Sequence, residues 1–327
     1  MRSIPITLGT VGQSSPQLSD FTTMNTRLAP RSLDLMLTIQ NLNAEPVYYG
    51  TYLTWLTTLN AYLMSTMSPG STTLNAFAGG AFDATGLYSN TGLNGLAAQC
   101  VSYGKEMTIR LAHEFNGDWN VYGNTQETAA QFIAGWQHIV TLFRNQGATN
   151  VKWCWCPNVW GLTGGGTHAV DPTTWYPGDA YVDFIALDGY MSNDATTTYM
   201  PHDLFYANYQ TIRGLSSRPF GIAEVGCAED GRLATTPGSP SGVTAGSKAG
   251  WYQLLFSMIQ SGAVPCVFVT TYEQVIAGIG VTNRGDYTIS SSGADPAAQS
   301  AFLAGATTYP FLANRSSVKA LLPRTGA

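Results

Sequence analysis

Two glutamates set the chemistry this sequence could perform. Glu114 lies in Arg110-Leu111-Ala112-His113-Glu114-Phe115-Asn116-Gly117-Asp118-Trp119, where an apolar run gives way to a carboxylic acid flanked by imidazole, amide and indole groups. Glu224 ends a second apolar run, Pro219-Phe220-Gly221-Ile222-Ala223, 110 residues further on. A glycosidic bond is usually broken by one acid that protonates the leaving oxygen and one carboxylate opposite it. Two acids closing two strands therefore point to sugar cleavage. A lone glutamate at a strand end is by default a solvated loop residue or an ion-pair partner. Context separates these two from that default, because Arg110 and His113-Glu114 interrupt a mostly apolar strand, where polar groups are costly to bury unless paired. Such groups gather where pKa values are tuned for chemistry.

The elements that must carry these residues follow from hydrophobic periodicity. Strands are expected at 3–9, 33–40, about 73–79, 106–113, 150–156, 182–188, 219–224 and 264–270, and helices at 50–66, 92–104, 126–145, 203–215, 246–261 and 297–312. Strand-helix alternation argues for a parallel sheet, and 327 residues suit one barrel, since (β/α)8 barrels run ~250 residues and more with insertions. The expected fold is α/β, a single (β/α)8 TIM barrel over residues 1–327 with an irregular tail from about 314. The segment at 73–79 is short and ends in Gly79-Gly80, so a loop is the alternative there. Active sites of such barrels lie at the C-terminal ends of the strands, where Glu114, Asn158, Tyr190 and Glu224 fall. The Gly-, Pro-, Ser- and Thr-rich stretch 230–246 reads as a long loop that either shapes substrate binding or is a disordered surface excursion.

The run RLAHEFNGDW resembles the His-Glu-Met-Asn-Gly signature of glycoside hydrolase family 26, with Phe115 in place of Met. Trp153-Cys154-Trp155-Cys156-Pro157-Asn158 is similar to the family's fifth-strand Trp-x-x-Pro-Asn segment. Asp188-Gly189-Tyr190 is similar to its sixth-strand segment, and Ile222-Ala223-Glu224-Val225-Gly226 to its nucleophile strand. The likeness spans roughly residues 70–226. It implies a retaining, endo-acting glycosidase with Glu114 as general acid/base and Glu224 as nucleophile, acting on a β-linked mannan, glucan or xylan, or on a bacterial envelope glycan. It also implies that Tyr190 holds the nucleophile ionised and that His113 contacts the sugar or the nucleophile, a core histidine being the alternative. Asn116 and Asn158 join the expected substrate-binding set. Arg110 is either positive charge near the nucleophile or half of an internal ion pair. Among aromatics able to stack on sugar rings, Trp119 and Trp160 follow strand ends and are preferred over Tyr122 and Trp155. After the eighth strand the sequence departs from the family: Tyr272 stands where a Trp or Phe is expected, and Glu273 adds a third carboxylate.

Composition bounds the partners. Charged residues are 11%, against ~25% in typical soluble domains, and the net charge of −5 supplies no basic patch for nucleic acid or anionic membrane. No run approaches the ~20 apolar residues of a spanning helix. The five cysteines match no zinc spacing and read as buried thiols, and the four histidines do not join them, so neither metal nor cofactor is expected. The expected partner is a polysaccharide or cell-surface glycan. No signal-peptide core precedes the first strand, which suggests either a removed leader and an extracellular enzyme, or a virion-associated hydrolase among tail proteins. A catalytically inactive barrel serving as a carbohydrate-binding or structural tail component is the competing reading.

Overall fold

The computed structural model describes residues 6–9, 35–41, 62–86, 91–162, 169–192, 197–228, 232–239, 241–272, 275–276, 285–286 and 296–308. Its parallel strands are β1 Ile6–Gly9, β2 Leu35–Asn41, β3 Tyr62–Ser68, β4 Met107–Leu111, β5 Val151–Trp155, β6 Phe184–Met191, β7 Phe220–Cys227 and β8 Val269–Tyr272. β2 through β6 pair in sequence order, and β7, β8 and β1 pair in turn, all parallel as in a (β/α)8 barrel.

The strands belong to two compact units. One carries β2–β5 and residues Phe184–Ala186 of β6. In it Thr66 lies beside Arg110, Arg110 beside Cys154, and Cys154 beside Phe184. Every residue of β4 is buried. Its Thr108 and Arg110 alternate with Met107, Ile109 and Leu111 and so share one face, and both are buried with hydrogen-bond partners, Thr108 with the Tyr62 hydroxyl and Arg110 with Thr66. The helix Ala129–Asn145 packs its Phe132, Trp136, Ile139, Val140 and Phe143 stripe inward and starts on a capping box, Thr128 with Gln131. Gly135 lets this helix approach closely, since a Cβ there would stand 2.1 Å from the Leu74 carbonyl oxygen.

The second unit carries β1, the rest of β6, β7 and β8. Ile222 pairs with Val269 but Val225 with Thr271, so β7 spends one residue more than β8 over this stretch. The resulting β-bulge holds Ala223 and Glu224. The helix Pro201–Leu215 begins with Asp203 accepting from the Met200 amide. The same carboxylate receives the amide and hydroxyl of Ser241, which docks part of the 230–246 stretch. That stretch also holds a single helical turn, Arg232–Thr235, with Leu233 buried, so its described part is folded and not a disordered excursion.

One strand is misplaced by the periodicity. The segment expected as the third strand, 73–79, contains a short helix, Asn75–Ala78, and β3 is Tyr62–Ser68, overlapping the end of the stretch expected as a helix at 50–66. Leu63, Met64 and Met67 are good helix formers, but in β3 the polar Ser65 and Thr66 are buried as deeply as Met64 and Met67. Pairing with β2 and β4 overrides local propensity. The eighth strand starts at Val269 and not at 264, whereas β7 runs on to Cys227. Residues 50–61, Glu273 and the tail from 314 lie outside the described residues.

The Asn75–Ala78 turn is fixed by a buried acid. Both oxygens of Glu127 accept main-chain amides, Leu74 N at 3.1 Å and Asn75 N at 2.8 Å. Burial raises the Glu127 carboxyl above its ordinary 4.5, and the two amide donors oppose that only in part. A carboxyl raised in the folded state contributes stability that is fully present below its unfolded pKa and is lost as pH rises through the folded value. The melting temperature of wild type minus that of Glu127→Gln is therefore expected to fall as pH rises through the acid range and then level off. A pH-independent difference would remove this assignment.

Candidate active site

β4 ends at Leu111, earlier than expected, and the chain turns at once. Ala112 and Glu114 both take left-handed backbone angles, φ 44° and 53°. A non-glycine residue occupies that region at a cost of order 1–3 kcal/mol, and such residues concentrate at functional sites. Two main-chain bonds hold the turn, Ala112 N to Met67 O at 2.8 Å and Glu114 N to Cys156 O at 2.8 Å. The acid is thus anchored to β3 on one side and to the end of β5 on the other.

Each oxygen of Glu114 receives one donor. The Asn158 amide donates to Oε1 at 2.6 Å and the Trp119 indole N–H to Oε2 at 2.8 Å. Asn158 is itself held: its main-chain N–H donates to Asn116 Oδ1 at 2.8 Å, while Asn116 Nδ2 donates to the carbonyls of Asn158 and Val170 at 2.9 and 3.0 Å. Asn116 is fully buried, and with both ends of its amide committed it holds Asn158. His113 shares a 3.3 Å hydrogen bond with the Tyr122 hydroxyl, and the Asn120 amide donates to the carbonyls of His113 and Glu114 at 3.4 Å.

The aromatics divide cleanly. Trp119 is 42% exposed beside Glu114, and Trp160 is half-buried. Tyr122 is buried against His113 and Trp155 is fully buried, so neither offers a face to a sugar. Phe115, the departure from the family signature, packs with its ring centroid 4.4 Å from that of Phe132, 5.3 Å from Trp155 and 5.8 Å from Trp175, the rings tilted to one another. Its larger ring is accommodated by an aromatic cluster that pins the loop to the helix Ala129–Asn145.

Arg110 is fully buried, with Nε donating to Thr66 Oγ1 at 2.7 Å and Nη1 to Cys156 Sγ at 3.7 Å. All five cysteines are buried as reduced thiols; burial raises the Cys266 thiol far above its ordinary range.

In the second unit Glu224 sits within β7, not at its end, and is 5% exposed. The Tyr190 hydroxyl, from β6, donates a hydrogen bond to Glu224 Oε2. A bulge re-aims side chains relative to an undisturbed strand, and it lies here at the one acid of an otherwise apolar strand. Asp188 is fully buried. Tyr272 lies in β8 beside Gly9.

The sequence of residues 96–217 matches Glycosyl hydrolase family 26. Over 200 residues, 56% of this chain, it is 35% identical to Endoglucanase H of Acetivibrio thermocellus. Over residues 96–217 the chain is similar to glycoside hydrolase family 26. A second match, 30% identity over 133 residues or 38% of the chain, is to Mannan endo-1,4-beta-mannosidase A and B of Caldalkalibacillus mannanilyticus. The chain spans only 18% and 23% of these two relatives. The catalytic domain of a Bacillus sp. JAMB-750 endo-beta-1,4-mannanase of this family superposes with a TM-score of 0.61 at 16% identity, covering 98% of this chain and 89% of that one. That likeness shows the (β/α)8 fold. The family match spans the Glu114 loop, Asn158 and Tyr190, and stops just short of Glu224.

Sequence reasoning singled out Glu114 and Glu224 and missed what holds them. Trp119 stood out as a stacking platform, not as a donor to Glu114, and Asn116 as a sugar ligand, not as the bracket for Asn158. The available signal was Gly117, a glycine between two polar residues in a loop where a side chain had to cross the backbone.

Proposed function

We propose that this chain is a retaining, endo-acting glycoside hydrolase of polysaccharides, folded as one catalytic domain, with Glu114 as general acid/base and Glu224 as nucleophile. The carrying observation is that Glu114, on a left-handed turn at the end of β4, has each oxygen fixed by one donor, Asn158 and Trp119. A donor from Tyr190 on Glu224 adds support, since a hydrogen bond to the charged form favours it. In the first step Glu224 attacks the anomeric carbon while Glu114 gives its proton to the departing glycosidic oxygen, leaving a glycosyl ester on Glu224. In the second Glu114 takes a proton from water, the water oxygen attacks the anomeric carbon, and Glu224 departs as carboxylate. The names of the two relatives, an endoglucanase and a mannan endo-1,4-beta-mannosidase, put glucan and β-1,4-linked mannan first among substrates.

The test is hydrolysis of mannan, glucan, xylan and bacterial envelope glycans, followed by chain length and by NMR of the first-formed anomer. A rapid fall in polymer length with the β-anomer appearing first supports the reading. An α-anomer appearing first would mean inversion. Tight glycan binding with no cleavage would instead favour a carbohydrate-binding barrel.

A further inference from the structure

We propose that Gly117 is a positioning residue for Glu114: having no side chain, it lets the Trp119 indole lie across its own loop with the ring N–H on the acid. The inference rests on the reading of Glu114 as acid/base and adds to it a residue that touches neither substrate nor the carboxylate side chain.

The backbone does not require glycine at 117, because its φ lies outside the left-handed region. What requires it is the indole. A Cβ built on Gly117 would stand 2.4 Å from Trp119 Cη2 and Cζ2 and 2.5 Å from Cε2, along the ring edge that carries Nε1. The loop has little room to move aside. Gly117 N donates to Glu114 O at 3.1 Å, and Gly117 O fills the space a Cβ at Gly123 would need, 2.2 Å away. The neighbouring Asn116 is locked by Asn158, Val170 and Asn124. Trp119, by contrast, is 42% exposed and can swing toward solvent. A methyl at 117 therefore displaces the indole and leaves Glu114 Oε2 without this donor, while Asn158 keeps Oε1. One contact thereby sets both the exposed aromatic face and the acid beside it.

Removing an N–H donor from a carboxylate disfavours its charged form. For the acid/base, the alkaline limb of the pH profile of kcat/KM then moves to higher pH. The expected displacement is roughly 0.5–1 unit, the size of one hydrogen bond to a partly exposed carboxylate. Gly117→Ala and Trp119→Phe are expected to produce the same limb shift, and Gly117→Ala is expected to add nothing in a Trp119→Ala background. A purely structural role would lower kcat or the melting temperature without moving the limb.

An activity-independent arm uses the indole 1H–15N resonance identified by its loss in Trp119→Phe. In wild type it titrates with Glu114, and in both Glu114→Gln and Gly117→Ala that titration disappears. An unmoved limb in an active enzyme, or an indole whose titration survives Gly117→Ala, overturns the proposal. If wild type cleaves no glycan, the proposed function fails, and the indole titration alone decides the positioning contact.

Discussion

Replacing Glu224 by glutamine is expected to lower kcat by roughly 10^4-fold or more on every substrate, the scale of loss when a nucleophile is removed from a set that acts together. Glutamine has nearly the shape of glutamate and can still accept the Tyr190 hydroxyl, so the bulge in β7 should persist and the melting temperature should hold. The amide cannot form the glycosyl ester. Because that defect precedes any question of leaving-group quality, aryl glycosides with good leaving groups should suffer as much as the polymer. In the shortened Glu224→Ala, azide should restore turnover by occupying the vacated space, and the glycosyl azide formed should carry the opposite anomeric configuration to the substrate. Activity within tenfold of wild type in Glu224→Gln would remove Glu224 from the mechanism.

Why that acid was legible in the sequence while its surroundings were not follows from how each is encoded. Glu224 interrupts Phe-Gly-Ile-Ala-x-Val-Gly-Cys, a run whose burial on both faces makes any charge conspicuous. Glu114 ends a run of the same kind. The bulge that re-aims Glu224 has no local signature, because it exists only as a mismatch between Ile222–Val225 and the two-residue advance of β8. The third strand failed for a related reason. Tyr62–Ser68 mixes Leu and Met with Ser and Thr, and only its two neighbours decide that it is a strand in which Ser65 and Thr66 are buried beside Met64 and Met67. The helix Asn75–Ala78 depends on Glu127, about fifty residues distant, for its amide acceptor. Asn116 and Asn158 read as polar residues near an acid, which invites a substrate role. The two hydrogen bonds between the Asn116 side-chain amide and the Asn158 main chain are a tertiary fact spanning 42 residues. Motifs thus single out the acids, whereas the groups that hold them are encoded by partners far away in sequence.

Glu114→Gln is expected to behave quite differently from Glu224→Gln, and the difference separates the two roles. In the variant the Asn158 amide can keep its acceptor, the side-chain oxygen, but the opposite position becomes an amide that faces the Trp119 N–H, donor against donor. The indole should therefore move as well as the proton being lost. Substrates with poor leaving groups need that proton, and for them kcat/KM should fall by roughly 10^2–10^4-fold, the usual worth of general acid catalysis. Aryl glycosides with good leaving groups need little protonation, so their kcat/KM should stay close to wild type. Their kcat should nevertheless fall, because no base activates water to free the ester on Glu224. The trapped ester should give a burst of leaving group and a depressed KM. Azide, an anionic nucleophile that needs no base, should relieve the second step, raise kcat, and give a glycosyl azide with the substrate's own configuration. That product is opposite to the one expected from Glu224→Ala. If both glutamine variants lose activity equally across the leaving-group series, or if azide gives the same anomer in each background, the assignment of acid to Glu114 and nucleophile to Glu224 fails.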